Sequence, residues 1–371
     1  LIYFVKQNII ITKRGVEVLK FGKDGKFTIM QIADIQEIQN VSPDTLKLLN
    51  AALDKASPDL AVLTGDQIQG YDKSMRKGDA FVIVKDIIEK ITEPLTSRNV
   101  PFTVTYGNHD KQSGVENDEQ ADIYGSLSGC VIGEPQNRFD KGTFSLQIYD
   151  SRGEKALFNI YIIDSNGMNR DGYEPISHEQ IEWYRNERER IKTKFGEYVP
   201  SFVFQHIPIP EVFCGLKKVK RGTKGAIPAF RSHAGQYYKL PDYCSDDDFF
   251  REAPAPSDTN NGEFDAFLEK GEVKGVFFGH DHMNSFIVSY KGIDIGYSQG
   301  VGFNVYGPGG DRGVRIFELS EDDLNNYKTY TLTYKKLTDG IFTRKAFEFA
   351  LSYAPMGFIK RIYSKLMVFV E

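Results

Sequence analysis

The chain has 371 residues, enough for one large α/β domain or two smaller ones. Apolar residues make up 40% and charged residues 26%, the balance of a soluble globular protein, and 13% aromatics, with 27 Phe and 20 Tyr, speak for a filled core and against disorder. A net charge of −5 argues against a nucleic-acid coat protein, though not against an enzyme for single nucleotides, and no stretch is long and apolar enough to span a bilayer.

In chain order, residues 1–26 read as a lead-in segment. Leu1 to Val5 is apolar but too short for a signal-peptide core, and the first residue is not Met. The expectation is a trimmed or mature form, soluble, and either cytoplasmic or exported with its signal removed. Phe27 to Ala33 is a strand candidate that ends at Asp34. Ser42-Pro43 is a helix start, with Leu46, Leu49, Leu53 and Ala56 at helical spacing behind it. Asp59 to Thr64 is a short buried strand that runs into Gly65-Asp66. Asp79 to Glu93 reads as a helix with Phe81, Val84, Ile88 and Ile91 on one face. Pro101 to Tyr106 is a third strand, ending at Gly107-Asn108-His109-Asp110. Thr143 to Tyr149 and Ala156 to Ile163 read as a strand pair. Ser177 to Gln180 fits a capping box, and Ile181, Tyr184, Ile191 and Phe195 continue a helical face. Val199 to Gln205 is a strand ending at His206, and Lys274 to Phe278 is another ending at Gly279-His280. Phe286 to Tyr290, Ile293 to Tyr297 and Val314 to Leu319 complete the strands. The rhythm of strand, polar loop and helix predicts a largely parallel sheet covered by helices.

Two regions break this rhythm. Pro208 to Asn261 is long, Pro/Gly/Asp-rich and mostly aperiodic, which fits a functional or disordered loop. Its basic run of Lys217, Lys218, Lys220, Arg221 and Arg231, with His233, is either an exposed loop or a lid for an anionic group. Residues 338–371 predict a helical tail, from Phe342, Ala346, Phe349 and Tyr353 and then Phe358, Ile362 and Leu366. The tail is either docked on the core or an amphipathic surface for a membrane or second subunit, with docking the expected state. Cys130, Cys214 and Cys244 are too few and scattered for a disulfide framework. Cys214 and Cys244 flank the insertion and could pair in an oxidising compartment, although spacing does not establish proximity. His178 sits in a helical first turn and is expected to be solvated. Gly296 to Gly313 is glycine-dense without phosphate-loop spacing and reads as turns, with Tyr306 a candidate pocket wall.

The chemistry gathers at the strand ends. Asp34-Ile35-Gln36, Gly65-Asp66, Gly107-Asn108-His109-Asp110, Gln205-His206 and Gly279-His280-Asp281-His282 each follow an apolar run. Four of the six histidines, His109, His206, His280 and His282, fall in these segments. In α/β sheets the carboxyl ends of strands converge on ligands, so widely spaced segments can meet. Singly, each piece is a turn, a cap or a structural histidine. As an ordered set they supply carboxylate, amide and imidazole ligands with a carboxylate able to bridge two ions, the needs of a two-metal hydrolase. In such a centre the ions bind phosphate and acidify a shared water, the hydroxide attacks phosphorus in line, and a nearby acid protonates the leaving group.

These segments resemble the calcineurin-like metallophosphoesterase superfamily from about Phe27 to Leu319. Gln205-His206-Ile207-Pro208 and the insertion at about 208–261 resemble its purple-acid-phosphatase-related branch. The resemblance implies an α/β fold, a four-layer αββα sandwich of the metallophosphoesterase type over 27–337, with metals at the strand ends. It also implies that Asp34 and His282 hold a first metal ion, Asp66 bridges, and Asn108, His206 and His280 hold a second, the ions being divalent or trivalent Mn, Fe or Zn. His109 would be the catalytic histidine that is not a ligand. Asp110 would either orient it or cap the loop. One residue departs from the pattern. The family's first segment is usually Asp-x-His, and purple acid phosphatases, which lack that His, carry a Tyr three residues after the bridging Asp. Here those positions are Gln36 and Gln69. A neutral amide is a poorer transition-metal ligand than imidazole, so the first position is open to weak binding, to a harder ion such as Mn or Mg, or to no ion. The implied activity is hydrolysis of a small phosphorylated substrate, with no nucleic-acid partner expected. The alternative is a catalytically weakened metal-binding or interaction protein on the same fold.

Overall fold

The computed structural model describes residues 9–11, 17–170 and 172–344. Strands β1 (Ile9–Ile11), β2 (Glu17–Lys20) and β3 (Lys26–Ile32) precede α1 (Pro43–Ala56) and β4 (Leu60–Thr64), and α2 (Ala80–Thr96), β5 (Phe102–Thr105) and α3 (Asn117–Gly125) follow. Next come β6 (Phe144–Tyr149), β7 (Ala156–Ile162), the two-residue strands β8 (Met168–Asn169) and β9 (Gly172–Tyr173), α4 (His178–Phe195) and β10 (Ser201–Phe204). The insertion carries α5 (Val212–Gly215), β11 (Lys217–Val219), β12 (Ile227–Pro228), β13 (Tyr237–Lys239) and β14 (Phe249–Phe250). It leads to α6 (Glu263–Leu268), β15 (Val273–Phe278), β16 (Asn284–Tyr290), β17 (Ile293–Tyr297), β18 (Gly313–Ser320), β19 (Asp323–Thr333) and α7 (Tyr334–Leu337).

Two sheets stack face to face, one ordered β19-β18-β3-β4-β5 and the other β1-β2-β6-β7-β10-β15-β17-β16-β14. The strands that carry the candidate ligands are parallel within each sheet: β3, β4 and β5 in one, β10 and β15 in the other. They read as unbroken apolar runs because both faces are covered. Phe27, Ile29, Leu60 and Val62 meet Phe158, Phe202, Phe204 and Phe277 between the sheets. The alternate residues Met30, Ile32, Ala61 and Leu63 pack under α1, α2 and α3, while Val203, Val276 and Phe278 pack under α4 and α6. Helix, sheet, sheet and helix form the αββα sandwich that the resemblance implies.

Local signals place the helices. The Ser42 hydroxyl accepts from the Asp44 amide with Pro43 at the first position of α1, Asp79 caps α2, and Ser177 with Gln180 closes the capping box of α4. His178 is exposed in the first turn of α4, as expected.

Several expectations need correction. Phe81 points to solvent at 45% exposed, and the buried face of α2 is Ile83, Val84, Ile87, Ile88 and Ile91. The sandwich begins upstream of Phe27: β2 pairs with β6, and Leu19 and Phe21 are buried in the inter-sheet core. The insertion is not a bare loop. It folds as α5, a small β11-β13-β12 sheet and the edge strand β14, and Phe213, Tyr238 and Phe250 join the core under the larger sheet. His233 stacks on Phe213 at 3.8 Å and faces the Tyr238 hydroxyl at 3.1 Å. All three cysteines are free thiols. The start of the tail is docked and not helical. Phe342 stacks on Tyr334 at 5.4 Å, and the Thr343 amide and hydroxyl donate to Asp44 at 2.8 and 2.9 Å. Ala346 and the later tail positions lie outside the described residues.

Candidate metal centre

Each candidate ligand sits just past a strand, in backbone that turns sharply. Asp34, Gln36, Asp66 and His280 all have positive φ, at 52°, 36°, 51° and 74°. Such strain in non-glycine residues collects where a site must be held in place. Two glycines make room for close approach. A Cβ at Gly107 would lie 2.2 Å from Asp66 Oδ1, and one at Gly279 would lie 2.7 Å from Asp34 Oδ2. This explains the glycine before Asn108 and before His280.

The five segments converge. Asp34, Asp66 and His206 offer ligand atoms within 4.8 Å of one another, all buried. His206 Nε2 is 3.2 Å from Asp66 Oδ2, and His282 Nε2 is 3.3 Å from Asp34 Oδ1. His280 Nδ1 faces His206 Nε2 at 3.3 Å. Neighbours set the ring orientations. His206 Nδ1 bonds the Thr64 carbonyl at 2.9 Å, and His282 Nδ1 bonds the Tyr306 carbonyl at 2.8 Å. In each ring the other nitrogen is therefore left to face the carboxylates, as metal-ligating histidines require. The Asp34 carboxylate accepts the His280 amide at 2.9 Å, and Asp66 Oδ1 accepts the His109 amide at 2.8 Å.

The donor set fits a pair of ions. Asn108 Oδ1, Gln36 Oε1 and His280 Nε2 are buried without a hydrogen-bond partner, an arrangement that burial normally penalises. Two carboxylates, two amide oxygens and three imidazoles with no thiolate suit Mn, Fe or Zn. Burial opposes charge on His206, but Asp66 and Asp34 outweigh it and hold the imidazole up to about 10. Burial and the neighbouring His206 charge drive His280 well below its ordinary value. Asp66 is held low because His206 and His109 overcome the burial that would raise it.

Gln36 enters the site but not only as a carbonyl donor. Its Nε2 donates to Asp66 Oδ2 at 2.7 Å, so it competes for the carboxylate expected to bridge. Asp110 caps the loop. Its Oδ2 accepts the Asp66 and Gly107 amides at 2.8 Å each, and its Oδ1 accepts the Ile68 amide at 3.0 Å. His109 Nδ1 instead faces Gln112 Oε1 at 2.8 Å, so the structure places Asp110 under the loop and Gln112 against the histidine.

Three tyrosines flank the candidate ligands; Tyr71 and Tyr173 carried no sequence signal, and Tyr306 is the candidate pocket wall. Tyr71 packs edge-on against His109 at 4.6 Å and receives the Gln69 side-chain amide at 2.9 Å. It stands five residues after Asp66, two beyond Gln69. Tyr173 packs edge-on against His280 at 4.5 Å, under the Arg231 guanidinium at 4.6 Å. Tyr306 is stacked on His282 at 4.2 Å with its hydroxyl on Glu252, so it backs a candidate ligand.

A sandwich with this cluster at its strand ends is the architecture of a metallophosphoesterase. The chain belongs to the calcineurin-like phosphoesterase family, whose profile matches residues 27–284. It is 28% identical to probable inactive purple acid phosphatase 29 of Arabidopsis thaliana over 347 residues, 83% of this chain and 79% of that protein. It is 26% identical to phosphatase DCR2 of Saccharomyces cerevisiae over 88% of this chain and 57% of that protein. Among solved structures, GAP50, the anchor in the inner membrane complex of Plasmodium, matches with TM-score 0.50 at 14% identity over 84% of this chain and 86% of that one, a likeness of fold. No helix among the described residues is long and apolar enough to cross a membrane.

Proposed function

We propose that the chain hydrolyses a phosphate ester of a small phosphorylated molecule with two metal ions. In this reading Asp34, His282 and the Gln36 carbonyl hold the first ion, Asn108, His206 and His280 hold the second, and Asp66 bridges. The bound pair supplies Lewis-acid activation of a water nucleophile and neutralises phosphate charge. The protein's part is orientation. The Thr64 and Tyr306 carbonyls fix the faces of His206 and His282, and the Asp110 clamp sets the loops of Asp66 and Asn108. His109 is the only candidate histidine in neither ligand set, and its ring is steadied by Gln112 and Tyr71 in position to protonate a leaving oxygen. The observation that carries the reading is the convergence of Asp34, Asp66 and His206 within 4.8 Å beside the unpartnered Asn108 oxygen. A screen of aryl monoester, diester and pyrophosphate substrates with Mn, Fe and Zn tests it. Turnover that depends on added metal supports the reading, and no turnover with any pair sinks it.

A second reading is favoured by one contact. The bond from Gln36 to Asp66 at 2.7 Å occupies the bridging carboxylate, as a weakened centre would. Three relatives carry "probable inactive" in their names and another is named a phosphatase, so the names point both ways. Tight binding of metal without turnover in the same screen would select this reading.

A further inference from the structure

Behind the strand end that carries His206 lies a cleft bordered by both ends of the insertion. It leaves about 20 Å³ for the centre of a water-sized sphere, room for one small occupant. Its lining includes Gln205, Glu211 and Glu263, together with Glu174, and no Lys or Arg. Three side-chain oxygens there are buried without a hydrogen-bond partner: Gln205 Oε1, Glu211 Oε2 and Glu263 Oε1. Gln205 is 1% exposed and Glu263 is 8% exposed. The surroundings fix these groups. Gln205 Nε2 donates to the Ile207 carbonyl at 2.9 Å, which leaves its oxygen as the free end. Asn260 Nδ2 donates to Glu211 Oε1 at 2.7 Å, which leaves Oε2 as the free oxygen of that carboxylate.

Buried acceptors without donors are costly, and two carboxylates sharing one small space are costlier still. A water could satisfy acceptors but leaves the two carboxylates facing each other; burial, with Glu211 beside it and against the Gln205 side chain, pushes Glu263 up to about 8, so a proton is the occupant a cation must displace. One positive ion satisfies both requirements. Because every free atom is oxygen, with no imidazole or thiolate among them, the ion class is hard and oxygen-preferring. Such a site differs in chemistry from the histidine-rich centre on the other side of His206. We propose that Gln205 Oε1, Glu211 Oε2 and Glu263 Oε1 bind a calcium ion, with water completing its coordination. Glu211 precedes α5 and Glu263 opens α6, so the ion ties both ends of the insertion to the segment holding His206. Its role is to brace that segment, and it takes no part in the reaction proposed above.

Equilibrium dialysis with radioactive calcium tests the site on the intact chain, with the histidine-rich centre first saturated with zinc, and in parallel on Asp66→Asn. The second protein separates this claim from the two-metal reading, because it weakens that centre and leaves the cleft intact. About one calcium ion per chain is expected in both proteins, with affinity at least roughly tenfold lower in Glu211→Gln and in Glu263→Gln. Calcium should also raise the Tm of the parent chain and leave that of the Glu263→Gln variant unmoved. The proposal is overturned if neither parent protein retains calcium, or if both glutamine variants bind it as the parent does. If a variant does not fold, the parent's Tm decides, and a Tm indifferent to calcium overturns the proposal.

Discussion

Replacing Gln36 by His should strengthen the first metal position. The imidazole Nε2 and the glutamine Nε2 are both four bonds from Cα, so the ring can reach the place where the amide now meets Asp66 Oδ2 at 2.7 Å. Two effects then add. The substitution removes a hydrogen bond to a buried carboxylate, worth about 1.5–3 kcal/mol, that metal binding must otherwise break. It also supplies a nitrogen ligand in place of a neutral amide. The first effect alone corresponds to roughly 10- to 100-fold in affinity, at about 1.4 kcal/mol per decade. Gln36→Ala frees Asp66 but also loses the Gln36 carbonyl, a weak ligand, so it sets a lower bound on that effect. Competitive titration of manganese with a fluorescent chelator reads both variants. The expected order of affinity at the weaker of the two positions is Gln36→His above Gln36→Ala above the parent. If the parent already holds two tight ions and neither variant changes affinity or content, the competition argument fails.

His109→Ala should lose roughly 10²–10⁴-fold in turnover while metal content stays at the parent value, the signature of a general acid that is not a ligand; an emptied centre would make it a ligand instead. Asp110→Asn removes a carboxylate that accepts three backbone amides and should cost about 2–4 kcal/mol in chemical denaturation; a stability within error of the parent would show the clamp to be idle. Phe202 meets Phe158, Phe277, Phe317 and Tyr327 between the sheets, so Phe202→Ala should cost about 3–5 kcal/mol in the same assay, and a cost under 1 kcal/mol would mean the layers can close over the gap. Burial pushes Glu37 up to about 7, against the bonds from Thr45, Ser42 and Asn304. The folded state therefore holds this proton more tightly than the unfolded state, and the stability it contributes is present below about pH 4.5 and lost as pH rises through 7. The loss is at most about 3 kcal/mol between pH 4.5 and 8, and Glu37→Gln should flatten that slope; an unchanged slope would assign it to other groups.

Much of the sandwich was legible because its central strands are apolar on both faces and end in a polar ligand segment. Leu60 to Thr64 and Ser201 to Phe204 show this, since each run stops where the backbone must turn into the site. The division into two sheets came only from resemblance, because periodicity does not say which strands share a sheet. β19 was missed: its run DLNNYKTYTLT is largely exposed on a sheet edge and lacks the apolar run of a buried strand. Phe81 was misassigned because one aromatic at helical spacing cannot reveal that the first turn of α2 overhangs solvent. In the site, the candidate ligands were readable because metal chemistry restricts residue types. The groups that steady them were not. The Thr64 and Tyr306 carbonyls are backbone atoms, and Tyr71, Gln112 and Tyr173 act through contacts that any sequence pattern leaves open. The insertion was unreadable for a related reason. Its short strands pair with one another and with β16, and long-range pairing has no local period.

The central claim is that Asp34, Asp66, Asn108, His206, His280 and His282 hold a pair of ions that hydrolysis requires. The most direct measurement is metal content by mass spectrometry, paired with turnover of an aryl phosphate, for the parent, Asp66→Asn and His280→Ala. The account predicts that both substitutions remove bound metal and turnover together, with circular dichroism matching the parent. Parent-level metal content and full turnover in either variant would contradict it.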